Sequence, residues 1–255
     1  MALFAISDPH LSLAKPKPMD IFGPEWRDAV AKLEAGLRAH VGPEDELLIP
    51  GDISWAMTLE EALPDLHLIH SWPGRRKILL RGNHDYWWQT TAILEKTFAA
   101  EGLDDLVILK NNAILSLDEA YIVAGTKGYN LPQTPQFRTD DPTDMKLWNR
   151  ELGRMRLSLQ AAAKLQKAHP QARLVVMTHY PCLARGLEEN DYTKLFAEYE
   201  VQEVVFGHIH TKNHLYHLEK YVYNGTCYSL VSCDQRDFIP LRLDPGPECQ
   251  SLSES

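Results

Sequence analysis

The sequence predicts an α/β fold, and three observations carry that prediction. Short apolar, β-like runs alternate with amphipathic helical stretches through the first half of the chain. The 255 residues are enough to bury a full core as one α/β domain, and two small domains are possible but not required. Five polar clusters each follow an apolar run, where open α/β sheets place their ligand-binding groups. These clusters are Asp8-Pro9-His10, Gly51-Asp52, Gly82-Asn83-His84-Asp85, Thr178-His179 and Gly207-His208-Ile209-His210.

The elements follow in order. Residues 2–7 read as a buried first strand, and 11–24 as a loop carrying Pro16, Pro18 and Pro24. Trp26, Val30, Leu33 and Leu37 have helical spacing, so 25–40 reads as an amphipathic helix stopped by Gly42-Pro43. Leu47-Leu48-Ile49 is a second strand, and Thr58-Leu59-Glu60-Glu61 fits a capping box opening a helix. Lys77 to Leu80 form a third strand, and a helix covers roughly 90–101. Strand-like runs follow at 106–109 and 120–124, then an irregular stretch at 125–142 of the length that often serves function. A long helix spans about 143–168. Leu174 to Met177 and Val204 to Phe206 are strands, with further strand-like pieces at 214–218, 221–224 and 228–232. Residues 1–244 are expected to form a single catalytic domain, and the Pro-, Gly- and Ser-rich 245–255 a flexible tail.

Composition excludes little but is informative. With 44% hydrophobic and 24% charged residues the chain resembles an ordinary globular enzyme. A formal charge of -9 argues against broad nucleic-acid binding, which needs a basic surface. It is compatible with an anionic substrate, because bound cations reverse the local sign. The N-terminal apolar run is too short for a signal peptide, and no run approaches the roughly 18 residues of a membrane span. Cys182, Cys227, Cys233 and Cys249 form no C-x-x-C pair, so free thiols in a reducing cytoplasm are the expectation.

The clusters supply Asp8 and Asp52 as carboxylates, Asn83 as an amide, and the imidazoles of His10, His84, His179, His208 and His210. This is the inventory of a two-metal site with one histidine to spare. Mixed Asp, Asn and His donors suit Mn2+, Fe2+/Fe3+, Zn2+, Co2+ or Ni2+ better than Ca2+. Two such ions roughly 3.5–4 Å apart clamp an in-line displacement at phosphorus and lower the pKa of bound water.

The ordered set D-x-H, G-D, G-N-H-D, H, G-H-x-H resembles the calcineurin-like metallophosphoesterase superfamily over residues 8–210. It is more similar to the class III phosphodiesterase branch than to the protein phosphatases. The stretches Gly51-Asp52-Ile53-Ser54-Trp55 and Tyr86-Trp87-Trp88 are similar to a bacterial-type group of predicted phosphohydrolases. The resemblance implies a four-layer α/β/β/α sandwich of two mixed sheets. It implies two divalent transition-metal ions, one held by Asp8, His10, Asp52 and His210, the other by Asp52, Asn83, His179 and His208, with Asp52 bridging. His84 then faces substrate as transition-state stabiliser or proton donor, and Asp85 orients it. Many members carry an acid where Trp55 stands in this chain, which changes the pocket wall.

The remaining candidates divide between substrate and structure. Trp55, Trp87 and Trp88 suit stacking on an aromatic leaving group, core packing or a homodimer contact. Arg81 suits a phosphate contact or a sheet buttress. Lys127, Tyr129, Asn130 and Arg138 lie in the long loop and are substrate candidates. Asp140, Asp141 and Asp144 read as a solvated helix start. Cys182 reads as a packed thiol. His40, His67, His70, His169, His214 and His217 are given structural roles. The function implied is hydrolysis of a small phosphomonoester or phosphodiester, nucleotides included, by metal-activated hydroxide in the cytoplasm. The rivals are a nuclease of the same superfamily, a non-catalytic scaffold and a phosphate-binding sensor.

Overall fold

The computed structural model describes residues 1–210, 215–216 and 220–243. The described chain divides into two compact units, one of residues 1–108 with 231–243, the other of 109–230. Each has its own buried apolar core and one mixed sheet flanked by helices.

In the first unit the sheet order is β11-β1-β2-β3-β4. Strands β1 (Leu3–Ala5), β2 (Glu46–Ile49), β3 (Arg76–Leu79) and β4 (Leu106–Ile108) are parallel, and β11 (Leu241–Leu243) runs antiparallel to β1. The crossovers are α1 (Ala29–His40), α2 (Leu59–Ser71) and α3 (Thr91–Glu101). The helix predicted from residue 25 begins later, because Asp28 adopts a left-handed backbone (φ 55°) that breaks the helical path. Trp26 is still buried, in a short 3-10 turn ahead of α1. Half of the expected capping box forms at α2. The Thr58 side chain accepts the Glu61 N–H, while the Glu61 carboxylate turns to Met57 N–H and Lys15.

In the second unit the order is β5-β6-β7-β8-β10-β9. Strands β6 (Tyr121–Thr126), β7 (Arg173–Thr178), β8 (Glu203–Phe206) and β10 (Thr226–Leu230) are parallel. Strands β5 (Ala113–Leu115) and β9 (Tyr221–Tyr223) pair antiparallel at its edges. Helix α4 (Pro142–Ala168) starts on an Asp141 cap with Pro142 in its first turn. Helix α5 (Asp191–Glu198) opens with a full capping box between Asn190 and Thr193. Among the described residues no helix is long and apolar enough to cross a membrane.

Cys182 and Cys233 are buried free thiols, and burial pushes the Cys182 thiol up to about 12, which suits a packed group rather than a nucleophile. Cys227 is disulfide-bonded, which corrects the expectation of four free cysteines. Local sequence spacing carries no signal for it. The predicted strand at 214–218, the structural readings of His214 and His217, Cys249 and the predicted tail fall wholly or mainly outside the described residues.

Candidate metal centre

The first unit gathers its polar clusters on one edge of its sheet, where the parallel strands β1, β2 and β3 end. Beyond β1 and β2 the two loops continue side by side. Asp8 N–H donates to Gly51 carbonyl at 3.1 Å, His10 N–H to Asp52 carbonyl at 3.1 Å and Leu11 N–H to Ile53 carbonyl at 2.9 Å. These bonds bring His10 Nε2 to 3.8 Å from the Asp52 carboxylate. Asp8 and Asp52 are buried at 0% and 1% exposure, and His10 at 5%.

Asp8 is held from its other side by the returning chain. Ser232 Oγ donates to its carboxylate at 3.0 Å, and Cys233 Sγ donates to its backbone carbonyl at 3.1 Å. Sequence reasoning missed both residues, since no local pattern links position 232 to position 8. The Asp52 carboxylate accepts the His84 backbone N–H at 2.8 Å. A Cβ added at Gly82 would lie 2.1 Å from Asp52 Oδ1, so only glycine admits this approach.

Asp8, His10 and Asp52 all sit in left-handed backbone, at φ 60°, 46° and 48°, as does His208 of the second unit at 73°. Such positions cost roughly 1–3 kcal/mol each for residues other than glycine and gather at functional sites.

The Asp85 side chain is fully buried and accepts four N–H groups. They come from Ile53 (2.9 Å), Ser54 (3.1 Å), Gly82 (2.7 Å) and the Trp87 indole (3.0 Å). Four donors match the ordinary acceptor capacity of a carboxylate. Asp85 therefore knits the loop after β2 to the loop after β3. Trp87, a predicted substrate contact, is instead fully buried in the core, because its indole N–H is drawn inward to Asp85. Trp88 is also a core residue, and Arg81 is exposed.

The His84 imidazole is half-buried among three aromatic neighbours. Its centroid lies 4.4 Å from Trp55, 5.9 Å from His10 and 6.3 Å from Tyr86. Trp55 stacks on His10 at 4.9 Å and 19°.

In the second unit, His179 follows β7 and His208 follows β8, so neighbouring parallel strands deliver them to one edge. His208 Nδ1 lies 3.3 Å from His179 Nε2. That is about the edge of a tetrahedron of ligands at ~2.0–2.1 Å from one ion. Tyr180 backs the pair, its ring 4.2 Å from His208 and 5.4 Å from His179. His210 is half-buried two residues beyond His208. The donor chemistry of each edge fits a divalent metal: buried carboxylates with imidazole and amide in one unit, converging imidazoles in the other.

The loop before α4 has other work. The Tyr129 hydroxyl donates to Asp144 at 2.9 Å, and the Arg138 guanidinium and backbone N–H also donate to Asp144. Asp144 is buried at 1%, not solvated as its place at a helix start suggested. Arg138 holds the Asp144 carboxyl well below the usual carboxylate range. Four histidines given structural roles have local partners: Gly36 carbonyl for His40, and Glu101, Asp105 and Glu119 for His67, His70 and His169.

The profile of the calcineurin-like phosphoesterase family matches residues 1–212, and the chain belongs to that family. It is accordingly a metal-dependent phosphoester hydrolase, and the family implies divalent metal ions. The fold is similar to that of a phosphopantetheinyl hydrolase from Mycobacterium tuberculosis, with a TM-score of 0.56 at 15% identity over 98% of each chain. A protein of unknown function from Aquifex aeolicus aligns with a TM-score of 0.43 at 15% identity, over 94% of this chain and 95% of that one. No curated protein sequence matches the chain.

Proposed function

We propose that the chain hydrolyses a small phosphomonoester or phosphodiester at a dinuclear centre. Its ligands in this reading are Asp8, His10, Asp52, Asn83, His179, His208 and His210, with Asp52 bridging. The observation that carries the proposal is the gathering of buried Asp8 and Asp52 with His10 on one strand-end edge, where Gly82 makes room for Asp52. Two buried carboxylates so placed favour a bound cation. The ions, Mn2+ among them, would supply an activated water and neutralise the phosphate charge.

The side chains do the rest. His84 donates a proton to the leaving oxygen, and its backbone N–H steadies the Asp52 carboxylate. Asp85 keeps both residues in register through its four N–H donors. Tyr129 and Arg138 support the loop before α4 through Asp144 rather than meeting substrate.

Metal-stripped protein given Mn2+ should hydrolyse members of a panel of aryl phosphate mono- and diesters. His84→Ala should lower turnover ~10²–10⁴-fold for alkyl leaving groups and much less for nitrophenol, whose anion needs no proton. Equal rates for wild type and variant on both ester types would remove His84 as the acid. The cytoplasm remains the proposed compartment, and the Cys227 disulfide gives its test. Because Cys227 is buried, the protein is read after cells are quenched in acid and the chain is denatured without reductant: alkylation then labels Cys227 if the compartment is reducing, and an unlabelled Cys227 places the protein elsewhere.

A further inference from the structure

Trp55 is half-buried, and its ring carries two neighbours. His10 stacks on it at 4.9 Å, and the Lys17 ammonium sits over it at 3.2 Å from its centroid. The indole N–H points to Met19 Sδ at 3.2 Å. A base or aryl group that stacked on Trp55 would compete with these two contacts. What the surface offers instead is the ammonium.

Lys17 is restrained on the exposed loop that carries it. Its backbone N–H donates to Ser12 Oγ at 3.1 Å. Buried Asp65 ties this loop to that of Trp55, accepting from Leu13 N–H at 2.9 Å and from Ser54 Oγ. Lys15, two residues away, is paired with Glu61. Lys17 has no carboxylate within ion-pair distance among the described residues. Its ammonium lies over a ring, which accepts no full hydrogen bond. The same ring lies 4.4 Å from His84.

We infer that Lys17, presented on Trp55 beside His84, is an anion-binding subsite that selects esters bearing a second negatively charged oxyanion beyond the scissile phosphate. This rests on the hydrolytic reading above, and the favoured second group is a phosphate. An ammonium is a compact point charge suited to phosphate oxygens, and among the described residues this one is held in place without an acid to neutralise it.

The test compares ethyl phosphate, phosphoglycolate and ethanediol bisphosphate as substrates for the Mn2+-loaded enzyme at low salt, with nitrophenyl phosphate as a control. Wild type should favour the bisphosphate over ethyl phosphate by ~10-fold in kcat/KM, the size expected for one charged hydrogen bond at a solvated rim. Lys17→Met should bring that ratio close to one through KM. Ethyl phosphate and nitrophenyl phosphate should change less than about twofold, and Lys17→Arg should keep most of the preference. A preference for phosphoglycolate equal to that for the bisphosphate would retain the subsite and reassign its ligand to any oxyanion. No preference in wild type, or an equal loss on every ester in Lys17→Met, overturns the inference and leaves hydrolysis standing. Failure of wild type to hydrolyse any of the four overturns the hydrolytic reading itself.

Discussion

Four proposed ligand residues, Asp8, His10, Asp52 and His208, occupy left-handed backbone that costs free energy in any residue but glycine. Hydrogen bonds to neighbouring loops offset that cost at Asp8, His10 and Asp52. Gly82 is the complementary case, a residue chosen for what it lacks. Gly82→Ala should push Asp52 out of place and lower turnover by at least ~100-fold, with bound metal lost, since a Cβ there meets Asp52 Oδ1 and its backbone nitrogen. Elemental analysis alongside kinetics checks this; full metal content with normal turnover would mean that Asp52 has room to move. The five polar clusters were legible in the sequence because each chemistry-bearing residue stands just past an apolar run. Ser232 and Cys233, which brace Asp8 from a separation of more than two hundred residues, carry no such signal. Lys17 was equally silent, one lysine in a proline-rich loop whose meaning comes only from the ring beneath it.

At the scale of elements, strong patterns gave strands and helices and weak ones did not. Strands β2, β3, β7 and β8 stand within a residue or so of where their apolar runs predicted them. Strands β5 and β11, with three residues each, were not foreseen, because their pairing partners rather than their composition make them strands. Helix α5, with eight residues, is too short for a clear period. The loop before α4 shows how a helix start can serve a loop. Asp141 caps α4, while Asp144 turns inward to hold Tyr129 and Arg138. Because Arg138 depresses the Asp144 pKa, the folded state binds fewer protons than the unfolded one around the ordinary aspartate pKa of ~3.9. Stability from this carboxylate is therefore fully present above that pH and is lost as pH falls below it. Asp144→Asn should lower the melting temperature at pH 7 and flatten its fall on acidification between about pH 4 and pH 2. Parallel melting curves for wild type and variant across that window would deny Asp144 its part in the acid response.

At the scale of the whole molecule, each of the two units has its own mixed sheet and core, and each delivers its metal-type donors from the carboxyl ends of parallel strands. That placement was legible because parallel strands in both units read as short apolar runs followed by glycine or a small polar residue. The division into two compact units was not, since no linker composition marks residues 108–109 and the chain returns to the first unit at residue 231. In the proposed mechanism the family's metal chemistry runs through two ions sharing Asp52. The most direct measurement is metal stoichiometry after Mn2+ loading and exhaustive dialysis, in wild type, Asn83→Ala and Asp52→Asn. Wild type should hold about two ions per chain, Asn83→Ala about one, and Asp52→Asn should lose both together with turnover. A single ion in active wild type, or two ions retained in Asp52→Asn, would contradict it.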